Sequence, residues 1–144
     1  MPEAHVTTEL PTTPAEAWAI LSDMSRFDEW MTIHDKWNTE VPAVVTVGTK
    51  VTEQLTIMGM TNKIEWTVEE FDAPTSLKIS GTGLAGAQIS FTLSVGGEGD
   101  KATVTIDATF TGQMMVGAIG AAVEKNAGLE LEKSLAQLAE LVSG

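Results

Sequence analysis

The chain has 144 residues, with eight Lys and Arg against twenty Asp and Glu, for a formal net charge of -12. That acidity serves solubility and argues against phosphate backbones and anionic lipid surfaces as partners, and so against nucleic-acid binding. Cysteine is absent, which removes disulfides, thiolate catalysis and cysteine metal sites from consideration.

In chain order, His5 to Leu10 predicts an edge strand, followed by Pro11-Thr12-Thr13-Pro14. Thr13 is suited to cap a helix beginning at Pro14, because the N–H that proline lacks would have no partner in a first turn. Ala17, Trp18, Ile20 and Leu21 supply its buried side, and Ser22 or Asp23 ends it. A second short helix from Ser25 to Trp30 turns the chain back. Between Thr32 and Val47 the patterning is weak, and the best candidate is a strand near Trp37 to Val41 broken by Pro42.

From Thr49 apolar residues recur at every second position, as in a sheet with one dry face and one wet face. Val51, Leu55 and Ile57 share a face that Glu53 interrupts; Ile64, Trp66 and Val68 form the next set, then Leu77 and Ile79. Ala87, Ile89, Phe91, Leu93 and Val95 alternate with polar residues, as do Val104, Ile106, Ala108 and Phe110. Short links rich in turn residues join these five segments, which predicts an antiparallel meander. From Val116 the period changes. Ile119, Val123, Ala127, Leu131, Leu135, Leu138 and Val142 fall three or four apart, giving a long helix with one apolar stripe to lay on the sheet.

The expected architecture is α+β, with a curved antiparallel sheet wrapped around a long C-terminal helix and two short helices after the first strand. Residues 1–144 read as one domain, since no linker, repeat or low-complexity tract divides them. No apolar run approaches the roughly 20 residues that span a bilayer. The N-terminus lacks the basic and apolar regions of a signal peptide, so a cytoplasmic protein is expected.

A curved sheet over a single helix readily leaves a hollow for an apolar small molecule. Alternate hairpins of a meander lie at opposite ends. One end therefore collects Met58-Gly59-Met60, Leu84 and Ala85, and Gly112-Gln113-Met114-Met115, while the other collects the polar links Asp72 to Thr75 and Gly96 to Asp100. The methionine-rich end reads as the mouth, where flexible thioethers adapt to varied apolar shapes, or as a set of side chains that close the domain on itself.

Candidate chemistry is sparse. His34, beside Asp35 and near Trp30 and Trp37, reads either as a loop histidine or as a general acid or base facing the hollow. Glu53 stands in an inward series and is either a lone carboxylate facing a ligand or a residue turned outward by a bulge. Trp66 reads as core or as a platform for a ring, whereas Asp107 and His5 are expected to face water. With two histidines and no His-x-x-x-His or His-Glu-x-x-His spacing, neither a metal nor another cofactor is expected. Gly81 to Gly86 contains a G-x-G-x-x-G pattern, but between two antiparallel strands it reads as a hairpin, not a nucleotide site.

The opening "AHVTTELPTTPAEAWAILSDMSRFDEWMTIH" carries a Pro-Ala-Glu first helix followed by Asp23, Phe27 and Trp30 in a D-x-x-x-F-x-x-W turn. In this it resembles the START-like, or SRPBCC, superfamily and within it the polyketide cyclase/dehydrase-like group. The resemblance covers essentially the whole chain and implies the helix-grip fold, which hosts lipid carriers, hormone receptors and cyclases. The chain also looks similar to small actinobacterial members regarded as toxins of toxin-antitoxin pairs, which implies a possible antitoxin-like protein partner.

Three functions are thus expected. The first is binding of a lipid, polyketide or aromatic metabolite; the second is a cyclase or dehydratase using His34 or Glu53; the third is a protein-interaction role. Ligand contacts are expected from Leu55, Ile57, Trp66, Ile79, Ile89, Phe91, Ile106 and Phe110 on the sheet. The expectation adds Trp30 from the second short helix, Glu53 from the sheet, Met58, Met60, Leu84 and Met115 around the mouth, and Ile119 and Val123 from the terminal helix.

Overall fold

A computed structural model describes residues 3–42, 45–57, 59–83, 87–112 and 117–143, without the side chains of Ile57, Met60 and Ser143. The chain opens with strand β1 (Glu3–Leu10) and helix α1 (Pro14–Leu21). Thr13 caps α1 by accepting a hydrogen bond from the Glu16 amide at 3.2 Å, and the Ser22 hydroxyl closes its last turn by donating to the Trp18 carbonyl at 2.7 Å. The expected second helix is shorter than the pattern suggests. A 3-10 turn at Met24–Arg26, capped by Asp23, leads into helix α2 (Phe27–Trp30).

The weakly patterned stretch holds strand β2 at His34–Trp37, earlier than the Trp37–Val41 segment expected from the sequence. Its four residues are too few to show alternation, and a bulge removes what alternation there is. Strands β3 (Lys50–Ile57), β4 (Met60–Asp72), β5 (Ser76–Thr82), β6 (Gln88–Glu98) and β7 (Lys101–Thr111) follow as successive hairpins, and helix α3 (Gly117–Ser143) ends the fold.

All seven strands form one curved antiparallel sheet in the order β1-β7-β6-β5-β4-β3-β2. The chain starts at one edge, crosses to the other through α1 and α2, and meanders back until β7 pairs with β1. Ile57 opposite Met60 and Thr82 opposite Gln88 mark the hairpins at one end of the sheet, and Asp72 opposite Ser76 and Glu98 opposite Lys101 mark those at the other. The two groups of links therefore separate as the meander requires.

Val51, Leu55, Ile64, Trp66, Val68, Leu77, Ile79, Phe91, Leu93, Val104, Ile106 and Phe110 are buried on the inner face. Helix α3 lies against β1, α2 and β3 and contributes Val123, Ala127, Leu131, Leu135 and Leu138 to the same core. Each large apolar side chain so buried stabilises the fold by roughly 1.5 to 3 kcal/mol. Ile119 departs from the expectation, being 53% exposed. In the first turn of α3 the buried position falls on Gly120 instead, one residue and about 100° further round the helix. Among the described residues, no helix is long and apolar enough to cross a membrane.

Helix α3 is also tied to the turn after α2 by polar contacts that the apolar pattern did not reveal. The Thr32 amide donates to Ser134 Oγ at 2.9 Å, and Thr32 Oγ1 donates to the Glu130 carbonyl at 3.0 Å and Glu130 Oε2 at 2.8 Å. Ser134 is fully buried, and its Oγ also lies 3.0 Å from Thr32 Oγ1. Ser134→Ala leaves the Thr32 amide unpaired and is expected to cost about 1–2 kcal/mol in urea denaturation. Combined with Thr32→Val the loss should fall short of the sum of the single losses, because the two residues share one network.

Candidate functional site

Among the described residues Glu53 is the one polar residue of the strands that is buried in the core, and the register of two strands explains what gathers around it. Trp37 pairs with Glu53 and His34 pairs with Leu55, so three steps along β2 match two along β3. In a regular strand positions 34 and 37 would face opposite sides of the sheet. The extra residue, Asp35, restores both to the inner face. On the outer face the Asp35 carboxylate accepts a hydrogen bond from Thr56 Oγ1 at 2.6 Å, which holds the bulge in place.

Glu53 points inward, one of the two orientations open at the sequence level, but it is not the lone carboxylate expected there. Its Oε2 is bonded to Nδ1 of His34, and its Oε1 accepts the indole N–H of Trp66 at 2.7 Å. The side chains of His34 and Glu53 are only 2% and 4% exposed. His34 is correspondingly a strand residue and not a loop residue. A carboxylate can only accept, so Nδ1 of His34 carries the hydrogen and Nε2 is the atom left to act on another molecule. Glu53 thus has both oxygens committed to the protein and serves to orient the imidazole.

Aromatic rings enclose this cluster. The His34 ring lies 5.0 Å from Trp37 and 6.2 Å from Phe27, and Phe27 meets Trp30 edge-on at 5.6 Å. Trp37 in turn donates its indole N–H to the Met24 carbonyl at 2.9 Å. On the other side Trp66 lies against Phe91 at 5.3 Å, and Phe91 meets Phe110 edge-on at 6.5 Å. One ring chain therefore runs from α2 through β2, and a second from Trp66 across the sheet, with the Glu53 carboxylate joining them. Trp30 is fully buried, and its Nε1 has no hydrogen-bond partner among the described residues.

Leu55, Ile79, Ile89, Phe91, Ile106, Phe110 and Val123 are all buried on the core side. Ile57 and Met60 close the β3–β4 hairpin, but their side chains lie outside the described residues, as do Met58, Leu84 and Met115 altogether. The methionine mouth expected from the sequence thus falls largely outside the description. His5 and Asp107 are exposed and half-buried on the outer face, where they bond to each other. The described residues hold no cluster of three or more side chains able to ligate a metal. An open cleft of about 540 Å³ lies between the Ser22–Ser25 turn, Val41, Pro42, Val45 and Phe71, and another of about 450 Å³ lies between β1 and α3. Neither includes His34, Glu53 or Trp66.

The sequence reading missed that His34 and Glu53 belong together, and missed Thr32 and Ser134 entirely. The only available signal for the pair was an inward-patterned glutamate in a chain with two histidines, and the bulge in β2 disguised the direction of His34.

Comparison with known proteins agrees with this fold. The family described as "Polyketide cyclase / dehydrase and lipid transport" matches residues 1–143. A Mycobacterium tuberculosis protein named as a toxin is 29% identical over 136 residues, which cover 94% of each chain. An uncharacterized protein of the same organism is 28% identical over 141 residues, covering 98% of this chain and 99% of its own. Among solved structures, a START superfamily protein from Mycobacterium smegmatis superposes with a TM-score of 0.81 at 17% identity, over 99% of this chain and 98% of that one.

Proposed function

We infer, for a chain that belongs to the polyketide cyclase / dehydrase and lipid transport family, that the region between the concave sheet and α3 takes up an apolar or amphipathic small molecule. Lipids, polyketides and aromatic metabolites have the required chemistry. One observation carries this reading: a buried polar cluster, His34–Glu53–Trp66, set among aromatic rings and apolar core side chains on the concave face of the sheet. Sites for small molecules combine these two elements, with burial supplying affinity and a few placed polar groups fixing orientation. The reading treats residues 1–144 as one domain acting in the cytoplasm and calls for no cofactor.

Native mass spectrometry of freshly purified protein tests it. A retained small molecule is expected, and binding of apolar compounds should change the fluorescence of Trp66, which lies against Phe91. Unaltered spectra across a broad apolar library, with no retained mass, would end the reading. His34→Ala should weaken polar-headed ligands by about tenfold, the loss of one hydrogen bond, while leaving hydrocarbons unaffected.

The orientation of His34 by Glu53 favours a second reading, proton transfer to or from the bound molecule as in a cyclase or dehydratase. A histidine whose Nδ1–H is held by a carboxylate presents Nε2 as general base. On this reading His34→Ala abolishes turnover of a substrate that the variant still binds, if more weakly. The relatives named as toxins support a third, an antitoxin-like protein partner. It requires a small protein encoded beside this one to co-purify with it.

A further inference from the structure

We propose that the molecule taken up carries a neutral carbonyl oxygen, and that the indole N–H of Trp30 is the donor that receives it. This rests on the ligand-binding reading above and specifies the chemistry of the ligand. Three of the four tryptophans, Trp30, Trp37 and Trp66, lie in or around the aromatic walls, yet their N–H groups are treated differently. Trp37 donates to the Met24 carbonyl at 2.9 Å and Trp66 to Glu53 at 2.7 Å. Trp30 is 0% exposed, and its Nε1 is the sole buried side-chain nitrogen or oxygen without a partner among the described residues.

A buried donor left unpaired forfeits its hydration with nothing in return. A ligand oxygen that accepts this N–H recovers part of that loss. The indole has no second function here, since it is donor only and carries no charge. Its partner must therefore be an acceptor rather than a cation or another donor, and in a molecule otherwise apolar a carbonyl oxygen is the strongest neutral one.

Charge selects among acceptors. A carboxylate or phosphate entering this interior would join the Glu53 carboxylate inside a chain of net charge -12. A ketone or ester carbonyl accepts the same hydrogen bond without a buried negative charge. The rest of the molecule is apolar, to suit Phe27 on the near side and the rings around it.

The test uses matched pairs differing only in the carbonyl: methyl nonyl ketone against undecane, and methyl naphthyl ketone against ethylnaphthalene, with decanoate as the anionic arm. In equilibrium dialysis the intact protein should prefer each ketone to its hydrocarbon by about tenfold, or ~1.4 kcal/mol, and decanoate should bind more weakly than methyl nonyl ketone. Trp30→Phe should erase the ketone preference while still binding the hydrocarbons. Heteronuclear NMR of the unaltered protein gives a readout that needs no variant to fold well. The Trp30 indole N–H resonance should move downfield with either ketone and stay in place with either hydrocarbon.

A ketone preference that persists in Trp30→Phe, an unmoved Trp30 resonance in the ketone complex, or tighter binding of decanoate would each overturn the proposal. Hydrocarbon binding without ketone preference overturns it too, while leaving the ligand-binding reading standing. If no member of any pair binds, the ligand-binding reading falls, and the proposal with it.

Discussion

Replacing Glu53 by alanine is expected to destabilise the fold by about 3–5 kcal/mol, read from urea denaturation, the range for removing one member of a buried, hydrogen-bonded pair. The loss arises twice over, since both His34 Nδ1 and the Trp66 indole N–H depend on this one carboxylate. Neither can turn to water, because Trp66 is fully buried and the His34 side chain nearly so.

Glu53→Gln separates support from chemistry. Its amide oxygen still accepts from Trp66, but its NH₂ meets His34 and calls for a lone pair at Nδ1, which moves the imidazole hydrogen to Nε2. The expected cost is about 1–2 kcal/mol, and any reaction that needs Nε2 as a base should stop. Equal, sub-kilocalorie effects of both substitutions would mean that the pair contributes nothing to the fold, and the account of this site would fail.

The second large effect is expected at Gly81. This residue faces Trp66 across the β4–β5 ladder, on the inner side of the sheet. A Cβ there would stand 2.5 Å from the Glu65 carbonyl, 2.6 Å from Ile64 Cγ2 and 3.0 Å from Trp66 Cε3. The first of these is backbone held by strand pairing and cannot retreat as a flexible side chain can. Gly81→Val should therefore cost about 3 kcal/mol, the upper part of the range for overpacking. Because the Trp66 ring is one of the displaced groups, its contact with Glu53 should loosen as well, and its indole N–H should exchange faster with solvent. A variant with unchanged stability and unchanged Trp66 exchange would show that the ring does not depend on this missing side chain.

The strands from β3 to β7 were legible because each is long enough for alternation to repeat, with buried residues at successive alternate positions of one face. The cap at Thr13 and the stripe Val123–Leu138 were legible for a similar reason, since both depend on spacing within one helix. Strand β2 was not. A bulge at Asp35 breaks the period of two within a strand of only four residues, and the same bulge hid the inward direction of His34. Ile119 was misplaced because spacing alone cannot tell which of two adjacent residues faces the sheet in the first turn of a helix.

By itself the sequence determined the order of elements, the meander, the closing helix and the presence of an inward glutamate, all of which follow from periodicities within single segments. Tertiary structure decided that Glu53 belongs to His34 and Trp66, that Thr32 clasps Ser134, and that the Trp30 indole finds no partner among the described residues. Those facts depend on the pairing of strands and on contacts between residues as much as 102 positions apart. Local periodicity carries no information about such contacts, because the hydrogen-bonding capacity of a side chain is set by its type while its partner is set by the packing of the whole chain.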